Sequence, residues 1–171
     1  ALALDESMLT ELLGTADLRE LLSLDAIKIV SSRLQHLGDR AAGNVEQAWD
    51  MLREIGPLRA DELEPRGITD QLQEELVRQR RIFGFRHLDQ QWWAVIEDAA
   101  RIRDGLGVAL PPGLPEVFLS ANPDAISELL LRFARCRGPF TPADIANRYG
   151  MGTAQVLQIL DGLSRQGTLL V

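Results

Sequence analysis

Two blocks of the sequence match one another, Gly56-Pro57-Leu58-Arg59-Ala60-Asp61-Glu62-Leu63 and Gly138-Pro139-Phe140-Thr141-Pro142-Ala143-Asp144-Ile145. They align over eight positions without a gap, at a constant offset of 82 residues. Each block comes after an amphipathic segment with helical periodicity, residues 45–55 in one copy and residues 124–136 in the other. Proline cannot donate a helix hydrogen bond and glycine accepts unusual backbone angles, so each Gly-Pro pair is expected to end its helix.

The residues C-terminal to the two blocks also correspond. A turn, Arg66-Gly67 in one copy and Tyr149-Gly150 in the other, leads into a further helix. In the second copy Thr141 is expected to cap a short helix whose first residue is Pro142. The endings of the later helices and the β-prone runs behind them are alike: Leu76-Val77-Arg78-Gln79 with Ile82-Phe83-Gly84-Phe85, and Leu163-Ser164-Arg165-Gln166 with Thr168-Leu169-Leu170-Val171. Helix, turn, short helix, turn, third helix and strand is the order of a winged helix.

Only the first copy has a complete wing in the sequence. Residues 81–86 and 91–96 are strand-like, a short connection joins them, and a helix is predicted over residues 99–106. Pro111-Pro112-Gly113-Leu114-Pro115 breaks regular structure and is interpreted as a linker. The second copy stops inside its first wing strand, so we expect the natural protein to continue.

The predicted fold is mainly α with small β wings, formed by tandem winged-helix modules that a helical segment precedes. The expected boundaries are residues 1–43 for the helical segment, 44–107 for the first module, 108–123 for the Pro/Gly-rich linker and 124–171 for the second module with its truncated wing. Within the first segment, apolar spacing predicts helices over residues 8–13 and 17–22 and a third that Asp25 caps and Gly38 closes.

The charge distribution does not favour a strong nucleic-acid binder. The formal net charge is −7, and residues 1–66 alone carry 7 basic against 13 acidic side chains. Residues 106–171 are balanced, with five of each. Of the 18 basic side chains 17 are arginine, which suits phosphate contacts but also occurs for compositional reasons.

Several kinds of chemistry find no support in the residues. Lys28 is the single lysine and has no glycine-rich loop beside it, so it cannot be part of a phosphate-binding loop of the Walker type. Cys136, the single cysteine, is interpreted as a core residue. We assign no catalytic residue, no metal ligand and no cofactor, and we expect a cytoplasmic protein without a membrane segment.

The first candidate nucleic-acid site is basic. It lies at the end of the third helix of the first module and along its wing: Arg78, Arg80, Arg81, Arg86 and His87. Winged helices place such side chains against phosphates. The alternative is a solvated surface on which the arginines pair with Glu74, Glu75 or Asp89.

The second candidate site lies on the third helix of the second module. Thr153, Gln155, Gln158 and Arg165 are expected to face outward, while Val156, Leu160 and Leu163 form the buried face. Glutamine can read adenine edges, but Asp161 shares the helix and nothing there is strongly basic. Tyr149 and Phe140 could stack on a base, although their positions favour core or turn packing.

Several motifs together resemble the C-terminal region of the bacterial large helicase-related (Lhr) proteins. They occur in the same order along most of the chain: Glu11-Leu12-Leu13-Gly14, Asp17-Leu18-Arg19-Glu20-Leu21-Leu22, Leu34-Gln35-His36-Leu37, the run from Leu106 to Pro115, Arg135-Cys136-Arg137-Gly138-Pro139-Phe140-Thr141 and Arg148-Tyr149-Gly150-Met151-Gly152. The resemblance implies a long ATP-dependent DNA helicase linked to DNA repair, whose core is followed by an array of winged helices. ATP and magnesium are implied for that core only.

Three functions remain open from the sequence. The chain could bind or position DNA, single-stranded or duplex, beside neighbouring domains of the same protein. It could instead be a structural module without DNA contact, in a possible homo-oligomer. It could also be part of a DNA glycosylase, but Gln71 and Gln73 are two residues apart in a helix and would point about 200° apart, which argues against a shared pocket.

Overall fold

The computed structural model describes residues 24–167. The helices in this range are α1 (Leu24–Leu34), α2 (Val45–Ile55), α3 (Asp70–Arg78), α4 (Ala99–Leu106), α5 (Ala125–Cys136), α6 (Pro142–Tyr149) and α7 (Thr153–Arg165). The strands are β1 (Leu58–Arg59), β2 (Ile82–His87) and β3 (Gln90–Val95). The helices expected over residues 8–13 and 17–22 and the β-prone run 168–171 lie outside the described residues.

The first helix of the first module begins and ends where its sequence predicts. The side chain of Asn44 caps α2 by accepting a hydrogen bond from the amide of Gln47 (2.9 Å). Ala48, Met51, Leu52 and Ile55 are buried along one face. Gly56 comes next with a φ of 89°, an angle that L-residues avoid, and the chain leaves the helix there.

The second element of the first module differs from its expected form. The sequence predicts one short helix after Gly56-Pro57, but the structure has two separate 3-10 turns, Ala60–Glu62 and Glu64–Arg66. Pro65 lies within the second turn and has no amide hydrogen, so it cannot continue a helical ladder from the first. Gly67, with a φ of 78°, then ends the segment.

The two matching blocks share a capping interaction. The amide of Arg59 donates to Oε2 of Glu62 (2.8 Å), and the amide of Thr141 donates to Oδ2 of Asp144 (2.6 Å). The donors are 82 residues apart, and so are the acceptors. Thr141 also caps α6 with its side chain, and Pro142 is the first helical residue, as predicted. The same amide-to-carboxylate bond therefore occurs in both blocks, at the offset of the sequence match.

The sheet is small and antiparallel, in the order β1-β3-β2. In the hairpin, Phe85 is opposite Trp92 and His87 is opposite Gln90. Leu88 and Asp89 connect the strands, and both have a positive φ, the geometry of the two-residue hairpin turns that match the twist of the strands. Both strands are shifted by one residue from the expected 81–86 and 91–96.

The hairpin lies between two cores. One face joins the core formed with α4 to α7 and contributes four side chains to it: Phe83, Phe85, Trp92 and Ala94. On the opposite face, Ile82 and Val95 pack with the buried residues of α2 and α3. The strands of the first wing therefore cover the second module as well as the first, and the two modules are in extensive contact.

The segment expected to be a linker also packs against the protein. Residues 108–123 contain one 3-10 turn, Glu116–Phe118, and neither α-helix nor β-strand. Five apolar side chains of this segment nevertheless contact the core that the hairpin forms with α4 to α7: Val108, Leu110, Leu114, Phe118 and Leu119. The segment is thus fixed to the fold.

The first helix of the described range is attached to both modules through Gln35. The amide nitrogen of this buried side chain donates to the carbonyl of Cys136, and its oxygen accepts a bond from Arg66 (2.7 Å). Cys136 is buried, as predicted, and its thiol donates to the carbonyl of Glu54 (3.3 Å). Asp25 lies inside α1 instead of capping it, which corrects the expected start of that helix.

Candidate nucleic-acid interface

Two arginines of the first candidate site are paired with carboxylates. Arg78 binds Glu75 one helical turn away, with its Nε 3.1 Å from Oε2. Arg81 lies 2.8 Å from a carboxylate oxygen of Glu46, and its guanidinium stacks 4.8 Å from the ring centre of Trp49. The interpretation as a surface of paired charges is therefore confirmed for Arg78. The partner of Arg81 is a residue that the sequence did not indicate.

The remaining members of the site differ in how available their side chains are for contact with a phosphate. Arg86 donates to the carbonyl of Asp89 (2.9 Å) but is otherwise exposed. His87 lies at the junction of the modules, where Nε2 is 3.0 Å from the carbonyl of Tyr149. Because a carbonyl only accepts, that nitrogen carries the proton. Arg80 is exposed, and its side chain has no partner among the described residues.

The exposed surface of α3 is acidic. Asp70, Glu74 and Glu75 lie on this nine-residue helix, against a single basic residue, Arg78. In a winged helix the third helix is the one that enters a DNA groove. Glu75 is paired with Arg78, but Asp70 and Glu74 leave an excess of negative charge that would repel phosphates, so α3 is poorly suited to DNA contact.

The corresponding helix of the second module has a different surface. Thr153, Gln155 and Gln158 are exposed, and their side chains make no hydrogen bond with other described residues. Arg165 pairs with Asp161 at 2.6 Å, so the charges on this helix cancel. Val156, Leu160 and Leu163 are buried, which confirms the predicted inward face. The helix α7 thus presents a neutral, hydrogen-bonding surface.

A cluster of arginines at the junction of the modules was not identified from the sequence. Arg148 of α6 donates to both carboxylate oxygens of Glu62, at 2.8 and 2.9 Å. Its guanidinium also donates to the carbonyl of Pro57 (3.0 Å) and lies 4.9 Å from the ring centre of Trp92. A residue of the second module therefore binds three residues of the first.

Glu62 is the central anion of this cluster. Burial alone would raise the pKa of its carboxyl group, but the hydrogen bonds and charge of Arg148, together with the backbone and charge of Arg59, lower that pKa to about 2. For Arg148, burial alone would lower the pKa, and Glu62 more than compensates, so the pKa is raised. The pair is therefore ionised at neutral pH.

Two further arginines complete the cluster. Arg66 is buried and donates to the carbonyl of Glu62 (2.8 Å) and to the side chain of Gln35. Arg137 lies 3.9 Å from the same carboxylate. The sequence does hold a signal for the cluster, since an arginine lies close to each Gly-Pro pair: Arg59 after the first pair and Arg137 before the second. Contacts across more than 80 residues cannot, however, be read from a single sequence.

A cavity lies at the start of α3, beside the two glutamines that the sequence singled out. Its volume is about 420 Å³, and its lining includes Thr69, Asp70, Gln71 and Gln73. Helical spacing predicts side chains about 200° apart for the two glutamines, which argues against a shared pocket. Both residues line this cavity. A residue can line a cavity through any of its atoms, so the direction of the two side chains stays a prediction.

The comparisons with known proteins agree with the fold. Residues 20–121 match the family model described as "Large helicase-related protein, winged-helix domain". The chain belongs to the large helicase-related protein family. The resemblance drawn from the sequence motifs is thereby confirmed, as is the mainly α winged-helix fold.

Two curated relatives match over 99% of the chain. The "Lhr helicase/ probable uracil glycosylase" of Mycolicibacterium smegmatis is 38% identical over 174 residues. The "Lhr helicase/uracil glycosylase" of Escherichia coli is 37% identical over 176 residues. The chain spans 12% and 11% of the length of these proteins.

Residues 24–167 hold neither a membrane-spanning helix nor a cluster of metal-binding side chains. No helix in this range has the length and apolar character needed to cross a bilayer. Nor do these residues bring three or more His, Cys, Asp or Glu side chains together in a group that could hold a metal ion.

Proposed function

We propose that this chain positions DNA within the C-terminal region of a large ATP-dependent helicase that acts in DNA repair, and that α7 makes the contact. The observation that carries the proposal is the exposed, unpaired state of Gln155 and Gln158 on the third helix of a winged helix. The names of both curated relatives, each a helicase, support it. Such a protein would act on the bacterial nucleoid.

The spacing of the two glutamines suits this role. Residues three apart in a helix lie on the same side, so both amides can reach one ligand. An amide both donates and accepts, and can bind an adenine edge or a phosphate oxygen. Thr153 adds a hydroxyl at the start of the helix. The pairing of Asp161 with Arg165 limits repulsion between this surface and DNA.

Removing the two amides tests the proposal. The double variant Gln155→Ala/Gln158→Ala should bind oligonucleotides about tenfold more weakly, since each lost hydrogen bond contributes about 0.5–1.5 kcal/mol. Gln166→Ala is the matched control, because Gln166 is exposed at the end of the same helix but lies outside the proposed surface. Equal affinity of the double variant and the control would reject α7 as the contact.

The wing is proposed to have a secondary role in DNA binding. Arg80 and Arg86 are its exposed arginines without a carboxylate partner among the described residues, so they can attract phosphates without first breaking an ion pair. Replacing both with alanine should weaken binding by a similar factor for all DNA sequences and reduce the salt dependence. Arg81 is better left intact, because its contact with Trp49 makes a change there structural.

A second candidate function, part of a uracil-excising site, has one observation in its favour. Asp70, Gln71 and Gln73 line the cavity at the start of α3, and both curated relatives carry uracil glycosylase in their names. Enzymes of this kind hold a flipped base in a pocket through hydrogen bonds to its pairing edge. Uracil release by the longer helicase should then be lost with Asp70→Asn and kept with Glu74→Gln. Equal activity of the two variants would reject this candidate.

A further inference from the structure

We propose that the cavity between the two modules binds a phosphate group and that Arg137 is its main ligand. This junction cavity has a volume of about 490 Å³, and its lining includes Arg59, Glu62, Arg137, Phe140, Asn147 and Arg148. The inference rests on the proposed function only for the source of the phosphate, which is either a DNA strand or a free phosphate compound.

Arg137 is a half-buried cation without an adequate partner. Its side chain is 22% exposed, and the nearest carboxylate oxygen, on Glu62, is 3.9 Å away, too far for a hydrogen bond. The guanidinium lies 4.7 Å from the ring centre of Phe133 and makes no hydrogen bond to any described residue. Burial first, and then the charge of Arg148, lower its pKa to about 10, so it remains charged at neutral pH.

Glu62 does not provide the hydrogen-bond acceptor that Arg137 lacks. Both carboxylate oxygens of Glu62 accept bonds from Arg148, and Oε2 also accepts the amide of Arg59. The side chain of Arg59 is a further neighbour of the same carboxylate, at 3.5 Å. Arg137 therefore lines a cavity whose central carboxylate already accepts three hydrogen bonds from other residues.

The charges around the cavity leave an excess of one positive charge. Four arginines are grouped here, Arg59, Arg66, Arg137 and Arg148, and three carboxylates lie among them, Asp61, Glu62 and Asp144. Asp144 uses its oxygen to accept bonds from the amide and hydroxyl of Thr141. A phosphodiester carries one negative charge, which balances this excess.

The shape and composition of the cavity favour a nucleotide phosphate over a smaller anion. The planar guanidinium fork matches two phosphate oxygens at once. Phe140 is half-buried in the cavity wall and offers an aromatic surface to a sugar or base. The amide of Asn147 is exposed at the same cavity and has no side-chain partner in the described part of the chain.

The test replaces Arg137 and compares it with a neighbouring arginine. Arg137→Gln should weaken binding of an oligothymidylate without a terminal phosphate about tenfold and reduce the salt slope by about 0.7. Arg135→Gln is the matched control, because it removes the same charge from an exposed arginine of α5 that has no ion pair in the described residues and does not line the cavity. Arg137→Lys keeps the charge and should retain part of the affinity.

A titration of the unmodified chain identifies the source of the phosphate. The ligands are inorganic phosphate, thymidine monophosphate and the oligothymidylate, and NMR follows the Nε resonance of Arg137. A shift with the oligothymidylate supports the site with a DNA strand as its source. A shift with only the two small compounds supports the site with a free phosphate as its source. If none of the three ligands shifts the Arg137 resonance, the proposal is overturned. It is also overturned if Arg137→Gln and Arg135→Gln weaken oligothymidylate binding equally and neither small compound shifts the Arg137 resonance. Loss of DNA binding in the α7 double variant would not change these readings.

Discussion

Arg148 donates two hydrogen bonds to the carboxylate of Glu62, a residue 86 positions earlier in the chain. The side chains are 8% and 12% exposed, so the ion pair lies inside the protein. It joins the last turn of α6 to the 3-10 turn that comes after β1. A buried pair of this kind contributes less to stability than its contacts suggest, but losing one partner is costly because the other charge is left without compensation.

The first prediction concerns the stability of the fold at acidic pH. Because the folded pKa of Glu62 is about 2 and its ordinary value is 4.5, ionised Glu62 stabilises the fold fully above pH 4.5. That stabilisation, at most about 3 kcal/mol, is lost as the pH falls from 4.5 through 2. Chemical denaturation of Glu62→Gln should therefore show a smaller loss of unfolding free energy over this interval than the unmodified chain.

The control for this measurement is Glu64→Gln. Glu64 is exposed in the neighbouring 3-10 turn and pairs with no arginine among the described residues. The control should show the acid dependence of the unmodified chain. If Glu62→Gln shows it as well, Glu62 is not the group that titrates.

The second prediction concerns the pair itself. Arg148→Met should lower the unfolding free energy by about 3–5 kcal/mol, because Glu62 is left buried and charged. The double variant Arg148→Met/Glu62→Leu should recover part of this loss, because the pair is removed whole while Arg59 and Arg137 lose the carboxylate beside them. Arg165→Met, in an exposed ion pair with Asp161, should cost about 0.5 kcal/mol or less. A cost for Arg148→Met as small as that of Arg165→Met would show that the pair does not hold the modules together.

The third prediction concerns Gly67, which lies against the backbone of Ala42. A Cβ at Gly67 would lie 2.3 Å from the carbonyl oxygen of Ala42, and the φ of 78° adds strain. The backbone cannot move freely there, because the amide of Ala42 donates to the carbonyl of Arg66 (2.8 Å). Gly67→Ala should therefore cost clearly more than the roughly 1–3 kcal/mol of a positive φ alone.

Gly107 provides the comparison for Gly67. Its φ is 66°, and a Cβ there would meet no atom within 4 Å. Gly107→Ala should therefore cost about 1 kcal/mol, through backbone strain only. Urea denaturation of the two variants separates the backbone strain of a positive φ from the clash of the added Cβ with Ala42. Equal costs would mean that the segment carrying Ala42 moves aside.

Local features of the fold were predictable from the sequence. The bounds of α2 and α4 agree with the predicted residues 45–55 and 99–106, because caps, periodicity and Gly stops act within a few residues of the chain. The same is true of Thr141 and Pro142 at the start of α6. The two 3-10 turns were missed, because Pro65 changes the hydrogen-bond ladder without changing the apolar pattern.

Contacts between distant residues were not predictable. The pairing of Arg78 with Glu75 follows from helical spacing, whereas the pairing of Arg81 with Glu46 depends on how α2 and the hairpin pack. The hydrogen bond from His87 to Tyr149 and the packing of Trp92 against the second module depend on the same tertiary arrangement. A single sequence therefore showed which residues were basic, but not which of them lacked an ion-pair or hydrogen-bond partner.

The location of the DNA contact is tested most directly by NMR mapping of backbone amides during titration of the ¹⁵N-labelled chain with an oligonucleotide at low salt. We predict that the largest shifts occur in the first two turns of α7, around Gln155 and Gln158, with smaller shifts near Arg80 and Arg86. Shifts confined to the acidic helix α3, or no shift at any residue, would contradict the proposed contact.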